Sequence, residues 1–207
     1  VPFRAITEPP TDIAIKGPRE GFIEDVKINA ALVRRRLKTD ELMMDTLTVG
    51  RRSKTVVTVC YLKGTCRDET VQAIEEKLKS IDIDILPDAS YLTHFLSDRP
   101  HSLVKQVGST EKPDIFCAKL AEGRVGVLTD GSPIALTLPY MLVEDFQSAE
   151  DYFVPAFRAT FLRLLRLFAL IVAIYLPAFY VSAQLFKLQL LPMKLLLTIA
   201  GSIRDIP

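Results

Sequence analysis

Gly50-Arg51-Arg52-Ser53-Lys54-Thr55 carries the residue types of a phosphate-binding loop: a glycine, a lysine and a hydroxyl side by side. Such a loop needs Gly directly before the Lys, a second Gly five positions earlier, and a helix behind it whose first amides face the phosphate. Here Ser53 stands before Lys54, and the next eight residues, "TVVTVCYL", are a β-branched run that reads as a strand. The spacing therefore describes a basic turn between two strands. It lacks the interleaved aromatics of single-strand binders, so no nucleic-acid partner is expected.

The other reactive residue types are scattered. The two histidines differ in setting, His94 in a helical stretch "YLTHFLSD" and His101 just after Pro100. Ser132 lies in a turn with no strand-to-helix nucleophile elbow around it. Asp82, Asp84 and Asp88 miss the spacing of a calcium loop, and Glu144-Asp145 reads as the polar face of a helix. Cys60, Cys66 and Cys117 form neither a CxxC pair nor the dense framework of a secreted scaffold, so reduced thiols are expected. With no Gly-x-Gly-x-x-Gly either, the expectation is a non-enzyme without metal or cofactor.

Charge and apolar character are unevenly spread. The chain of 207 residues has 26 bases and 25 acids, but its last fifty residues hold six bases (Arg158, Arg163, Arg166, Lys187, Lys194, Arg204) and one acid, Asp205. The 20 bases and 24 acids before them make a mildly acidic soluble part ahead of a basic, apolar tail. "VPFRAITEPP" reads as the interior of a longer chain.

Periodicity sets the elements. "TDIAIK" (11–16) alternates as a short strand, and "REGFIEDVKINAALVRRRLK" is an amphipathic helix of about five turns, opened by Glu20, Glu24 and Asp25 and closed by Arg34, Arg35 and Arg36. "LMMDTLTVG" and "KTVVTVCYL" read as strands, 67–81 as a helix, "DIDIL" as a short strand, and Pro87-Asp88 as the start of another helix. "SLVKQV" is strand-like, 112–123 is a helix closed by Gly123, and "RVGVLTDGSPIALTLP" is a hairpin. Strands alternating with helices, plus two hairpins, predict a layered α/β domain with a mixed sheet over residues 1–148, with a weak lobe boundary near 98–102.

Leu167 to Phe186, "LFALIVAIYLPAFYVSAQLF", runs twenty residues without a formal charge. At ~1.5 Å per residue that helix spans a bilayer core of about 30 Å. The segment 149–166 is expected as a basic juxtamembrane piece, with Arg158, Arg163 and Arg166 at the lipid headgroups and the α/β domain on the cytoplasmic side. Residues 187–207, broken by Pro192, Lys194 and Gly201, read as an interfacial loop or the start of a further membrane domain.

Five motifs carry a resemblance across essentially the whole chain: Gly17-Pro18-Arg19-Glu20, Gly50-Arg51-Arg52-Ser53-Lys54-Thr55, Glu122-Gly123-Arg124-Val125, Asp130-Gly131-Ser132-Pro133, and Phe146-Gln147-Ser148 ahead of Asp151-Tyr152. They resemble the A subunits of GerA-type spore germinant receptors. The resemblance implies a cytoplasmic α/β region followed by a multi-span domain in the inner membrane of a bacterial spore. It implies work with B and C subunits, homo-oligomers, and a part in forming or gating an ion-conducting path when nutrient is sensed. Arg19, Glu20, Arg51, Arg52, Lys54, Arg124 and Asp130 become candidates for subunit contact or gating. Arg204-Asp205-Ile206-Pro207 lacks a glycine that the family pattern leads one to expect. The alternatives are a membrane-anchored module sensing a small cytoplasmic ligand, or the related stage V sporulation membrane protein.

Overall fold

Asp25 decides where the first helix begins. Its Oδ1 accepts the N–H groups of Lys27 (2.8 Å) and Ile28 (3.2 Å), two of the donors a helix start leaves without a partner. The helix α1 therefore covers Val26–Arg36, about three turns where five were expected. Phe22 and Ile23 are kept out of it by Asn29, a buried amide that accepts from the Ile23 N–H (2.9 Å) and donates to the Ile23 carbonyl (2.5 Å). The acids expected to open the helix thus lie outside it.

The computed structural model describes residues 18–99, 102, 104–141, 144 and 155–186. The strand expected at 11–16, Gly17, Pro100, His101, the Phe146-Gln147-Ser148 and Asp151-Tyr152 motif and the tail 187–207 lie outside the described residues. After α1 come β1 (Leu42–Val49), β2 (Thr55–Leu62), α2 (Asp68–Ser80), α3 (Ala89–Leu96), β3 (Gly108–Thr110), α4 (Pro113–Ala121), β4 (Val125–Thr129), β5 (Ala135–Leu138) and α5 (Ala156–Phe186). The chain divides into two compact units, Val1–Phe153 and Val154–Pro207, and the 98–102 region lies inside the first.

One five-stranded sheet has the order β1-β2-β4-β5-β3, and every pairing in it is antiparallel. This corrects the expected mixed sheet. A helix between two strands implies parallel neighbours only if those strands pair, and β2 and β3 are separated by β4 and β5. "DIDIL" is not a sheet strand, and the strand expected at 102–107 lies instead at Gly108–Thr110.

The alternation of side chains feeds two cores. Val57, Val59, Val127 and Leu136 pack with α2 and α3 through Val71, Ile74, Leu78, Leu92 and Leu96. Cys60, Leu128 and Ala135 pack on the other face with α1 and α4 through Val33, Phe116 and Leu120. All five residues of β4 are buried, as a central strand covered on both faces requires. Gly126 makes room for Phe116, whose ring would lie 2.1 Å from a Cβ there and which meets Phe22 edge-on at 5.5 Å.

The second unit is described through α5, one unbroken helix of 31 residues, about 46 Å long at ~1.5 Å per residue. Its Ala156–Ser182 portion is long and apolar enough to cross a membrane, and none of the apolar window is buried within the protein. Arg158, Arg163 and Arg166 lie on this same helix ahead of the charge-free run, within an arc of about 140°. Pro177 sits inside it and frees a carbonyl one turn earlier.

Candidate functional site

Gly50 opens the basic turn with φ +92°, and Lys54 closes it with φ +44°. Between them the backbone N–H groups of Arg51, Arg52 and Ser53 donate to the carbonyls of Ile83 (2.8 Å) and Asp84 (2.9 and 3.1 Å). Ser53 Oγ accepts from the Leu86 N–H at 3.2 Å. A phosphate cradle would need those amides turned outward, and here they are spent on the 82–86 segment. The 82–86 segment is thus held by this turn and not by a neighbouring strand, which keeps "DIDIL" outside the sheet. Arg51 pairs with Asp82, and Arg52 Nε lies 4.0 Å from Asp84 Oδ1, all on exposed side chains.

The turn Asp130-Gly131-Ser132-Pro133 joins the starts of two helices that cover opposite faces of the sheet. Asp130 Oδ1 accepts from the Val26 N–H (3.2 Å), and the Gly131 N–H donates to the Glu24 carbonyl (2.7 Å), so this turn finishes the N-terminus of α1. Buried Ser132 donates through its hydroxyl to Asp88, whose other oxygen accepts the Ser90 N–H (3.0 Å) at the start of α3. Burial pushes the Asp88 carboxyl up, but hydrogen bonds from Ser132, Ser90 and Ala89 outweigh it and hold the group below the usual carboxylate range.

Glu122-Gly123-Arg124 comes directly after α4. Gly123 has φ +87°, and a Cβ there would stand 2.8 Å from the Thr65 carbonyl oxygen. Arg124, expected at a subunit contact, is buried and used within its own chain. Its Nη2 meets Glu122 Oε2 at 3.0 Å, and its Nη1 reaches both the Pro139 carbonyl (3.4 Å) and Glu144 Oε1. Lys119 Nζ stands 2.9 Å from the other oxygen of Glu144, 3.4 Å from Thr137 Oγ1, and over the Tyr140 ring at 5.6 Å. Burial works against the charge on Glu144, but the Met141 N–H, Lys119 and Arg124 more than offset it, so its carboxyl ionises below the ordinary range.

Glu20 accepts from Arg35 (2.5 Å) and Arg36 (3.1 Å), fastening the segment before α1 to that helix's far end. Arg19 is exposed beside it. All three cysteines are buried thiols; burial pushes Cys60 and Cys66 up and Cys117 up to about 11, which keeps them protonated and unreactive near neutral pH. Among the described residues no group of three or more His, Cys, Asp and Glu could hold a metal ion.

Turns that fasten a domain, with a membrane-length helix after it, match a known pattern over their full extent. The family model for the Bacillus/Clostridium GerA spore germination protein aligns with residues 1–207. The chain belongs to the GerA family. It is 39% identical over 204 residues to spore germination protein GerQA of Bacillus cereus, covering 99% of this chain and 41% of that protein. To spore germination protein B1 of Bacillus subtilis it is 36% identical over 207 residues, covering all of this chain and 43% of the relative. It thus spans about two-fifths of the length of the curated relatives it matches. The crystal structure of the N-terminal domain of the A subunit of the Bacillus megaterium spore germinant receptor GerK3 is similar at 33% identity and a TM-score of 0.48, covering 59% of this chain and 97% of that one.

In this GerA-family chain the sequence discloses the motifs and conceals their partners. Lys119 and Glu144 do not stand out as a pair, because 25 positions separate them and each looks like an ordinary helix charge. Asp88 carries a signal, since an aspartate just after proline and ahead of "ASYL" is a good helix cap, but nothing points from it to Ser132.

Proposed function

We propose that this chain is part of the A subunit of a nutrient-sensing germinant receptor in the spore inner membrane. On this reading its α/β domain lies on the cytoplasmic side and α5 is the first membrane span. It acts with B and C subunits, oligomerises, and forms or gates an ion-conducting path that starts germination. The observation that carries the proposal is α5, apolar and uncovered along a membrane-spanning length, in a chain that matches the GerA family from end to end. Arg158, Arg163 and Arg166 support the orientation: basic residues before a span favour the cytoplasmic side and reach anionic headgroups by snorkelling. Exposed Arg51, Arg52 and Lys54, with Arg19, are the side chains offered to a neighbouring subunit, whereas Glu20, Arg124 and Asp130 act by holding the surface that carries them.

The test is ion flux from the full-length protein in liposomes, with and without its B and C partners, beside the germination of spores that lack it. Nutrient-triggered flux and loss of germination are expected. Normal germination in spores with no redundant receptor, together with silent liposomes, would sink the proposal.

A second reading rests on a groove of about 740 Å³ lined by Thr70, Lys77, Asp98, Arg99, Gln106 and Tyr140 among others. Both charge signs, an amide and an aromatic converge there, as in a site for a small polar molecule. If the domain senses a cytoplasmic ligand, a metabolite panel will raise the unfolding temperature of the full-length protein in detergent. No shift across a broad panel removes this reading.

A further inference from the structure

The Lys63 N–H donates to the Glu41 carbonyl at 2.9 Å, and the Asp130 N–H to the Val56 carbonyl at 2.9 Å. These two bonds fix which way β1 faces. Even-numbered residues of β2 bond to β4, so its odd-numbered residues bond to β1, where their partners are Met43, Asp45, Leu47 and Val49. The backbone groups of Met44, Thr46 and Thr48 therefore point away from β2, along an edge that no described strand covers.

Natural sheets guard such edges with short strands, bulges, prolines or charged side chains. The strand at the other edge, β3, is three residues long. By contrast β1 is eight residues in unbroken register, without Pro, Lys or Arg. Its one charge, Asp45, alternates with Met44 and Thr46 and so belongs to the opposite face of the sheet.

Beside this edge, between α1 and the sheet, is a groove of about 470 Å³. Ala30 and Ala31 keep that flank of the helix low, and Met44 and Thr46 line the sheet side. Lys27 and Arg34 line it as well, two turns or about 10 Å apart along the helix axis. Both are exposed and, among the described residues, in no ion pair, and none of the residues lining the groove is acidic.

A strand laid on β1 places every second side chain on the face of Met44 and Thr46, toward this groove. Charge decides which strand fits. A second copy of β1, paired antiparallel, would set two α1 helices side by side in opposite senses, with Lys27 of each toward Arg34 of the other. It would bring no acid on that face to answer them. A strand with acids there meets both cations.

We propose that the β1 edge and the groove beside α1 dock an extended, acid-bearing segment of a partner polypeptide, added to the sheet as a sixth strand. The inference goes beyond the receptor reading and stands without it.

The test uses the full-length chain in detergent and amide exchange over residues 42–49. The probes are two soluble octapeptides, one alternating valine with glutamate and one alternating valine with lysine. At saturation the glutamate peptide should slow the Met44, Thr46 and Thr48 amides about tenfold or more, and the lysine peptide should not. Lys27→Glu with Arg34→Glu should exchange the two preferences. Thr46→Pro removes an N–H that faces away from β2, so it should abolish the protection while the unfolding midpoint holds. If Thr46→Pro unfolds the chain, the charge-reversed variant still decides. Protection by neither peptide would overturn the docking, and equal protection by both would overturn its charge basis. Slow exchange of these amides in the chain alone would mean that the chain itself covers the edge or, where dilution relieves it, that a second copy does. Either result would overturn the partner.

Discussion

Two arginine-bearing turns of this chain look alike in sequence and differ in what they do. Arg51-Arg52 comes after Gly50 at φ +92°, and Arg124 after Gly123 at φ +87°. At the first, the Arg51 and Asp82 side chains are both 66% exposed. At the second, the Arg124 and Glu144 side chains are 10% and 7% exposed. The backbone fastens the first turn, through three N–H donors, and leaves its guanidinium groups in water. Side chains fasten the second. A buried charge is costly to strand and an exposed one is not, so the same residue type is structural in one place and available to a partner in the other.

The strongest way to break this comparison is at Glu144. Glu144→Ala leaves Arg124 and Lys119 facing each other in a dry site, and the loss expected is about 3–5 kcal/mol, read as a fall in the unfolding midpoint of the detergent-solubilised chain. The pH dependence sharpens it. The Glu144 carboxyl ionises below its ordinary value in the folded protein, so its contribution is complete above the unfolded value of about 4.3 and is lost as pH falls through the lower folded value. Asp88 adds a share of the same sign. Glu144→Gln should therefore flatten the decline of stability below about pH 4. An unchanged acid slope would mean that Glu144 is not ionised in the folded cluster.

The glycines give a smaller contrast. Both positive-φ positions disfavour a side chain, but a Cβ at Gly50 meets the hydroxyl of Ser53, which can rotate away, whereas one at Gly123 meets the Thr65 backbone. Gly123→Ala should cost about 1–3 kcal/mol and Gly50→Ala about 1 kcal/mol. Amide exchange of β4 and β2 compares them, and an equal cost at both sites would show that φ alone sets it.

Sequence periodicity reveals the elements that are locally determined. The hairpin of β1 and β2, the helices α2 to α4, the hairpin of β4 and β5 and the charge-free run in α5 all announce themselves in short local stretches, the longest of them the hairpin Leu42–Leu62, or in one long apolar run. The length of α1 does not, because Asn29 takes the backbone of Ile23 out of helical pairing and apolar spacing is blind to that. Sheet direction escapes it too, because direction depends on which strands pair, and β3 lies at the far edge from β1. At the candidate site the turn residues are legible by their glycines. Their partners Asp82, Asp84, Asp88, Lys119 and Glu144 are not, since those contacts close across 20 to 44 positions of chain.

The smallest stability effect belongs to the turn that first suggests chemistry. Arg51→Gln and Arg52→Gln each remove an ion pair held in water, one of them at 4.0 Å, and should change stability by less than about 1 kcal/mol. Salt acts on the two turns differently and moves neither far: about 8 Å of screening length at physiological ionic strength weakens the exposed pairs, which contribute little to begin with, and leaves the buried cluster nearly untouched. Stability of the native chain should thus respond to salt little at either turn, for opposite reasons. If Arg51 and Arg52 face a neighbouring subunit, however, their loss will lower the oligomer population or the flux of the reconstituted receptor while the unfolding midpoint holds. A large fall in the midpoint would place these arginines with Arg124, as structural residues whose backbone bonds to Ile83 and Asp84 cannot hold the turn alone.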